Sequence, residues 1–101
     1  MGAASQLKVC VIGSGAAGLV TARVLKRNGI QPLVLEQDSE FGGVWTYEAN
    51  SKKKPMYKGL RTNLPREIMA FRELPWGGDG TTRSFVTHKE VKNYLSRYAK
   101  A

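Results

Sequence analysis

The stretch KVCVIGSGAAGLVTARVLKRNGIQPLVLEQ, residues 8–37, joins two apolar runs through a glycine-rich turn and a segment with helical spacing. The first run, residues 7–12, is continuous and rich in β-branched side chains, as is typical of a parallel strand buried on both faces. Residues 16–28 place apolar side chains on one helical stripe, and Gly29 follows as a stop signal. Residues 32–36 repeat the strand pattern, so the stretch predicts a right-handed β-α-β unit.

The rest of the chain is predicted to be irregular up to a closing helix. Glycines and prolines interrupt every periodic pattern between residues 37 and 86, which favours loops and short elements. Thr87 to Ala101 regains helical spacing, and Thr87 with Glu90 has the spacing of a capping box. We therefore predict an α/β protein with a Rossmann-like β-α-β unit, a loop-rich extension and a C-terminal helix. Its parallel sheet is incomplete, because no convincing third parallel strand follows residue 37.

The charge of the chain is unevenly distributed. The net charge is +8, yet residues 1–51 hold four basic and four acidic side chains, whereas residues 52–101 hold twelve and four. Such asymmetry can indicate nucleic-acid binding, but an anionic cofactor or an acidic partner surface explains it equally well. We expect no nucleic-acid partner, because stacking aromatics and a known reader module are absent, and we expect Lys52–Lys54 to lie in a solvated loop.

Compartment and burial are predicted from the single cysteine and from hydropathy. Cys10 lies inside the first apolar run, where it is expected to act as a small buried hydrophobe, and it forms no intrachain disulfide. No apolar stretch approaches the ~20 residues of a membrane span, and the first residues lack a secretory signal pattern. We therefore expect a cytoplasmic protein without a membrane segment in this sequence and with residues 1–6 as a flexible N-terminus.

The glycine-rich turn has the form G-x-G-x-x-G and reads Gly13-Ser14-Gly15-Ala16-Ala17-Gly18. Gly13 permits a tight turn, Gly15 lets a pyrophosphate approach the backbone, and Gly18 allows close packing of helix and strand. Free amides at the helix start would hold the phosphates. Glu36 ends the second strand, where a carboxylate accepts hydrogen bonds from ribose hydroxyls and disfavours a 2′-phosphate. These features together predict an adenine dinucleotide site for FAD or NAD, with a purely structural glycine turn as the alternative.

The segment EQDSEFGGVW, residues 36–45, follows directly. From the residues alone, a glycine pair followed by a tryptophan can equally be a turn and a core side chain. The arrangement resembles the second FAD-contact segment of flavoproteins with two dinucleotide domains, in which residues after the glycine pair line the flavin side. A nicotinamide dehydrogenase is not expected to show it, so FAD is favoured over NAD.

Two further stretches resemble one family. The sequences YKGLRTNLPREIMAFRELPW, residues 57–76, and FVTHKEVKNYLSRYA, residues 85–99, closely resemble the N-terminal part of flavin-containing monooxygenases. The resemblance extends from about Lys8 to Ala99 and favours the amine- and sulfide-oxidising type over the Baeyer–Villiger type. It implies FAD and NADP as cofactors. In the full-length protein it implies oxygenation of a small-molecule amine or sulfide by dioxygen through a C4a-hydroperoxyflavin.

The resemblance also implies a set of cofactor-binding residues. They are Gly13, Ser14, Gly15, Ala16, Ala17, Gly18, Glu36, Gln37, Gly43, Val44, Trp45, Thr62, Asn63 and Leu64. Residues 13–18 correspond to the pyrophosphate site, Val44 and Trp45 to the flavin region, and Thr62 and Asn63 to the place where flavin and NADP meet. By the resemblance Asn63 is the closest to a catalytic residue, although its spacing alone, just before Leu64 and Pro65, favours a turn former. No metal ligand set is predicted.

A full family member is longer than this sequence. By the resemblance, a full-length member has a second nucleotide motif for NADP and a C-terminal segment that returns to the FAD domain. Neither feature occurs within these 101 residues. We therefore expect residues 1–101 to be the N-terminal portion of an FAD-binding domain and to be inactive alone. Membrane attachment of the full-length protein through a C-terminal segment is left open. The alternatives are another FAD oxidoreductase of the same architecture, such as a Baeyer–Villiger enzyme or a disulfide reductase, and a non-catalytic FAD-fold interaction module.

Several other side chains have plainer interpretations. We expect His88 to be exposed at the first turn of the last helix, without a general-base role. Tyr94 and Tyr98, four residues apart, are expected to pack with hydroxyls in water, and Trp76 is expected to anchor a loop.

Overall fold

A computed structural model describes residues 7–49, 54–76 and 83–100, and the chain forms two compact units, residues 1–43 and 44–101. The described elements in chain order are β1 (Val9–Ile12), α1 (Ala16–Arg27), β2 (Pro32–Leu35), a 3₁₀ helix (Gly43–Trp45), α2 (Arg66–Met69) and α3 (His88–Lys100). The predicted α/β class is confirmed. The predictions for residues 1–6, Lys52 and Lys53 lie outside the described residues. No helix within the described ranges has the length and apolar character needed to span a membrane.

The first unit is the predicted β-α-β unit. β1 and β2 pair in parallel, with Val9 opposite Pro32 and Ile12 opposite Leu35, and α1 contacts both strands. The helix ends as its sequence indicates, because Gly29 follows it with a φ of 80° and accommodates the left-handed turn that stops a helix. In the described part of the chain the sheet has two strands, as the missing third strand pattern predicted.

One face of this sheet is open, so the prediction of strands buried on both faces is wrong. Val11 is buried, but Ile12 is 87% exposed and Cys10 is exposed as well. Successive side chains of a strand point to opposite faces, and the parallel register pairs Cys10 with Leu33 and Ile12 with Leu35. All four are exposed because no described element covers this face. The expectation that Cys10 is a buried hydrophobe fails for the same reason.

The second unit is built around α3. Its buried apolar side chains are Val86, Val91, Tyr94, Leu95 and Tyr98. The helix begins at the predicted capping box: the amide of Glu90 donates to Oγ1 of Thr87 at 3.3 Å, and the amide of Thr87 donates to the Glu90 carboxylate at 3.3 Å. This reciprocal pair satisfies amide groups that a helix start otherwise leaves unpaired, so the predicted capping box is confirmed.

Two tyrosines of α3 hold the loop of residues 71–76. The Tyr94 hydroxyl donates to the carbonyl of Leu74 at 2.6 Å and accepts from the amide of Phe71 at 2.8 Å, while the Tyr98 hydroxyl donates to the carboxylate of Glu73. The expectation that these hydroxyls are in water is therefore wrong, because the loop backbone takes the place of water at Tyr94 and the Glu73 carboxylate does so at Tyr98. Burial raises the pKa of the Tyr94 phenol above its ordinary value.

Aromatic stacking fixes the end of the same loop. The ring of Trp76 lies parallel to that of Tyr94, with centroids 4.2 Å apart and an interplanar angle of 6°. The prediction that Trp76 anchors a loop is confirmed.

His88 is buried at the start of α3, so the expectation of an exposed histidine is wrong. The residue is 8% exposed, its ring stacks on Tyr47 with centroids 4.7 Å apart, and its Nε2 lies 3.0 Å from the carbonyl oxygen of Lys58. A buried imidazole N–H requires an acceptor, and the Lys58 carbonyl provides one.

Candidate cofactor site

The glycine-rich turn between β1 and α1 is held by backbone hydrogen bonds on two sides. The amide of Gly13 donates to the carbonyl of Leu35, the last residue of β2, at 2.7 Å. The amide of Gly42 donates to the carbonyl of Ser14 at 2.8 Å. Residues 13–18 are therefore fixed both to the end of the second strand and to the glycine pair that follows it.

Glu36 lies directly after β2 and binds the same turn with its side chain. Its Oε1 accepts from the Ser14 amide at 2.8 Å and from the Ser14 hydroxyl at 2.6 Å, and its Oε2 accepts from the amide of Asp38 at 3.0 Å. These hydrogen bonds, of which that from the Ser14 hydroxyl has the largest effect, lower the pKa of Glu36 to about 2. The group is therefore an ionised acceptor at neutral pH.

The three glycines of the motif have three different explanations. Gly13 has a φ of 97°, a conformation that side chains strongly disfavour. A Cβ at Gly18 would collide with the carbonyl oxygen of Gly13, so the close approach of helix and turn requires glycine there. Gly15 has an ordinary φ of −72°, and a Cβ there would meet only the Cα of Gly43 at a comfortable 3.8 Å. Neither the backbone conformation of Gly15 nor its packing against the residues that the structure describes explains why residue 15 lacks a side chain.

The glycine pair of the second motif packs against the first motif. Gly43 has a φ of 57°, and a Cβ at this position would lie 3.2 Å from the Cα of Gly15. The structure thus brings Gly43 to the predicted pyrophosphate turn. It does the same for Gly42, which was not among the predicted site residues although the glycine pair itself was the signal that could have found it.

The helix that follows the turn begins without a side-chain cap. Gly15 is the N-cap residue and makes no side-chain hydrogen bond, and no acidic residue occupies the first turn of α1. The first amide groups of a helix point along its axis and carry the positive end of its dipole. This helix start, which includes Ala16 and Ala17, thus has the chemistry of an anion site.

The residues that follow Glu36 differ in exposure. Gln37 is exposed, and in the 3₁₀ turn of Gly43–Trp45, Val44 is exposed whereas Trp45 is partly buried. In the second unit the next residue, Thr46, is buried and accepts a hydrogen bond from Nζ of Lys92 at 2.6 Å. The segment after Trp45 is therefore attached to α3.

The predicted Thr62, Asn63 and Leu64 form a turn in the second unit. Thr62 is buried, and its amide donates to the carbonyl of Val86 at 2.9 Å. Asn63 and Leu64 are both exposed. The turn therefore presents the Asn63 amide group at the surface of this unit.

All of the predicted residues except Gln37, Val44 and Trp45 thus fall into two sets. Within the first unit, the structure brings together the glycine turn, Glu36 and the glycine pair; within the second, it forms the turn of residues 62–64. The described ranges contain no group of three or more histidine, cysteine or acidic side chains placed to hold a metal ion.

A glycine turn fixed to an ionised carboxylate at the end of the second strand defines a dinucleotide-binding class of fold. Comparison with known families narrows the class: a model described as FMO-like, flavin-binding monooxygenase-like, matches residues 6–101. The chain belongs to this flavin-binding monooxygenase-like family, which confirms the resemblance seen in the sequence.

Individual relatives agree with this assignment. The chain is 39% identical over 115 residues to flavin-containing monooxygenase FMO GS-OX5 of Arabidopsis thaliana, a match that covers 95% of this chain and 25% of that protein. It is 41% identical over 110 residues to FMO GS-OX-like 2 of the same plant, covering 91% and 24%. The solved structure of S-allyl-L-cysteine S-oxygenase from Allium sativum matches with a TM-score of 0.80 and 39% identity, covering 92% of this chain and 25% of that one. The chain spans about a quarter of the length of these relatives.

Proposed function

We propose that this chain binds the adenosine diphosphate part of FAD through its first unit. The observation that carries the proposal is Gly15, whose missing side chain is explained neither by its φ nor by a neighbour among the described residues. A pyrophosphate lying on the start of α1 explains it, because a Cβ at this position would keep the phosphate oxygens from the backbone amides. Residues 13–18 would hold this pyrophosphate.

The carboxylate of Glu36 suits the ribose of the same nucleotide. An ionised carboxylate has about four acceptor positions on its two oxygens. Oε1 accepts two hydrogen bonds and Oε2 accepts one from Asp38, so Oε2 retains capacity for a hydroxyl donor. Because the carboxylate is already fixed by Ser14, little ordering of this side chain would be needed when a ribose binds. Its negative charge supports FAD at this position over a nucleotide with a 2′-phosphate.

The roles of the residues toward the flavin end of the cofactor are proposed from the family relationship. By this proposal Gln37, Gly43, Val44 and Trp45 lie along the cofactor, and the turn of residues 62–64 lies where flavin and NADP meet. Asn63 is proposed as the residue closest to the reacting flavin edge. Its exposed amide can both donate and accept a hydrogen bond without changing its protonation state, which suits a group that must work next to a changing charge.

For the longer protein to which this chain corresponds, we propose an NADPH-dependent monooxygenase that acts on soft nitrogen or sulfur nucleophiles. When bound, a reduced flavin supplies the chemistry that activates dioxygen and transfers one oxygen atom to the substrate. The name of the Allium sativum relative, an S-allyl-L-cysteine S-oxygenase, supports the sulfur side of this proposal. The part played by this chain is to bind and orient FAD.

The test is a titration of the purified 101-residue protein with FAD, followed by flavin fluorescence and visible circular dichroism. We expect saturable FAD binding that ADP displaces, because the proposed contacts lie on the adenosine diphosphate part. Gly15→Ala should lower the affinity for both FAD and ADP by at least ~10-fold, equivalent to about 1.4 kcal/mol of binding free energy. A folded wild-type chain that takes up neither FAD nor ADP would contradict the proposal and favour a non-catalytic interaction module.

A further inference from the structure

The turn that carries Asn63 is closed by the side chain of the residue before it. The Thr62 hydroxyl donates to the carbonyl of Leu64 at 2.8 Å, so a hydrogen-bonded ring encloses the backbone of Asn63. Local side-chain to backbone hydrogen bonds of this kind give the chain a defined turn in place of regular secondary structure. The conformation of Asn63 therefore depends on the hydroxyl of its neighbour.

The same hydroxyl is also tied to a distant segment. Its oxygen accepts a hydrogen bond from the Val86 amide at 3.3 Å, and the Thr62 amide donates to the Val86 carbonyl at 2.9 Å. A threonine hydroxyl has one proton and two acceptor positions, so its donor and one acceptor are used inside the protein. Thr62 is 7% exposed. Its side chain is thus committed to the structure of the turn.

Two further contacts hold the turn at its other end and at its side. The amide of Arg66 donates to the carbonyl of Ser84 at 2.7 Å, and Nη1 of Arg61 donates to the carbonyl of Phe85 at 2.9 Å. Residues 61–66 are therefore attached along their length to residues 84–87, which lead into α3. Asn63 and Leu64 are the exposed residues of this turn, and of the two Asn63 carries the polar side chain.

From these contacts we infer that Thr62 is a positioning residue: its hydroxyl sets the backbone of Asn63 and so aims the Asn63 side-chain amide. The inference rests on the proposed function where it concerns flavin, since that proposal assigns Asn63 to the flavin edge. The geometric part, in which Thr62 determines the conformation of Asn63, concerns the ligand-free chain alone. The two parts are separately measurable.

The experiment compares wild type with Thr62→Val, Thr62→Ser and Asn63→Ala. Valine keeps the shape of threonine and removes the hydroxyl, whereas serine keeps the hydroxyl and removes a methyl group. In the ligand-free proteins, NMR records the side-chain amide signals of residue 63. We expect these signals to be shifted in Thr62→Val and to stay at their wild-type positions in Thr62→Ser.

With ligand, ADP and FAD are titrated separately. We expect Thr62→Val to leave ADP affinity unchanged, because the first unit is intact, and to change the visible circular dichroism of bound FAD as Asn63→Ala does. Thr62→Ser should retain the wild-type flavin band. This combination separates positioning from a general loss of structure, which would lower ADP affinity as well.

Specific outcomes overturn the inference. A folded Thr62→Val protein with wild-type Asn63 signals would do so, as would a Thr62→Ser protein that binds ADP normally but shows the flavin band of Asn63→Ala. If Thr62→Val does not fold, Thr62→Ser alone tests the inference. The inference fails if Thr62→Ser binds ADP normally but shows the flavin band of Asn63→Ala. If wild type binds neither nucleotide, the proposed function fails, and the ligand-free NMR comparison still tests whether Thr62 sets the conformation of Asn63.

Discussion

Ser14 donates two hydrogen bonds to a single oxygen of Glu36, one from its amide at 2.8 Å and one from its hydroxyl at 2.6 Å. The two residues are 22 positions apart, and the bonds join the first turn of the nucleotide motif to the end of β2. Hydrogen bonds to an ionised group are stronger than those between neutral groups. The carboxylate that is proposed to bind ribose is thus already oriented in the ligand-free protein.

The first prediction concerns the effect of the Ser14 hydroxyl on this carboxylate. Ser14→Ala removes the interaction with the largest effect on the pKa of Glu36, so the pKa should rise from about 2 toward its ordinary value of 4.5. A ¹³C NMR titration of the Glu36 carboxyl group measures this. Ser39→Ala, at an exposed serine nearby in the sequence, is the matched control and should leave the pKa unchanged. An unaltered Glu36 titration in Ser14→Ala would contradict the prediction.

The second prediction concerns stability in acid. Because the folded state lowers the pKa of Glu36, ionised Glu36 stabilises the fold fully above its ordinary value of 4.5, and this contribution is lost as pH falls through about 2. The free energy of unfolding, measured with urea between pH 5 and pH 2, should therefore fall less steeply in Glu36→Gln than in wild type. Some slope should remain in the variant, because hydrogen bonds also lower the pKa of Glu67. Identical slopes in the two proteins would show that Glu36 does not contribute.

The third prediction separates a structural glycine from one without a packing role. Gly18→Ala should lower the free energy of unfolding by about 1–3 kcal/mol or more, because its methyl group would collide with the backbone of Gly13 and the helix would have to move. Gly59→Ala is the control: a Cβ there meets none of the described atoms within 4 Å, and the substitution should change stability by less than about 0.5 kcal/mol. Equal thermal unfolding of the two variants would rule out the tight contact between turn and helix.

The fourth prediction concerns the core of the second unit. Tyr98→Phe removes the hydrogen bond from the buried phenol to the Glu73 carboxylate, and we expect a loss of about 1.5–3 kcal/mol because the acceptor is charged. Tyr57→Phe changes a hydroxyl on a residue that is 63% exposed and serves as the control. Urea unfolding followed by circular dichroism compares the two. A Tyr98→Phe protein as stable as wild type would mean that the hydrogen bond has no net value.

The features that local sequence determines were predictable. The strand, turn, helix and strand of residues 8–37 follow from apolar spacing and from glycines whose conformation is set within a few residues. The capping box of Thr87 and Glu90 is equally local, since its partners are three positions apart. The residues that determine these elements are close together in the sequence. The structure therefore agrees with each predicted boundary within one or two residues.

Burial was harder to predict, because it depends on neighbours that are distant in sequence. His88 was expected to be exposed, yet its ring is covered by Tyr47 and its nitrogen is satisfied by Lys58. Cys10 was expected to be buried, yet its side of the sheet has no cover in the described part of the chain. The role of Gly42 was missed for the same reason, since its hydrogen bond reaches back to Ser14. The helical and strand periodicities of the sequence do not indicate any of these contacts, because they join residues that are far apart in the chain.

The open face of the sheet determines how the chain should be handled in solution. The exposed face of the two short strands carries a thiol and three large aliphatic groups side by side, namely Cys10, Ile12, Leu33 and Leu35. Adjacent exposed apolar side chains on a sheet promote self-association, and an exposed thiol among them can oxidise to a disulfide between two chains. Its colloidal behaviour should therefore depend on protein concentration and on reductant, and ligand titrations are best made on dilute protein kept reduced.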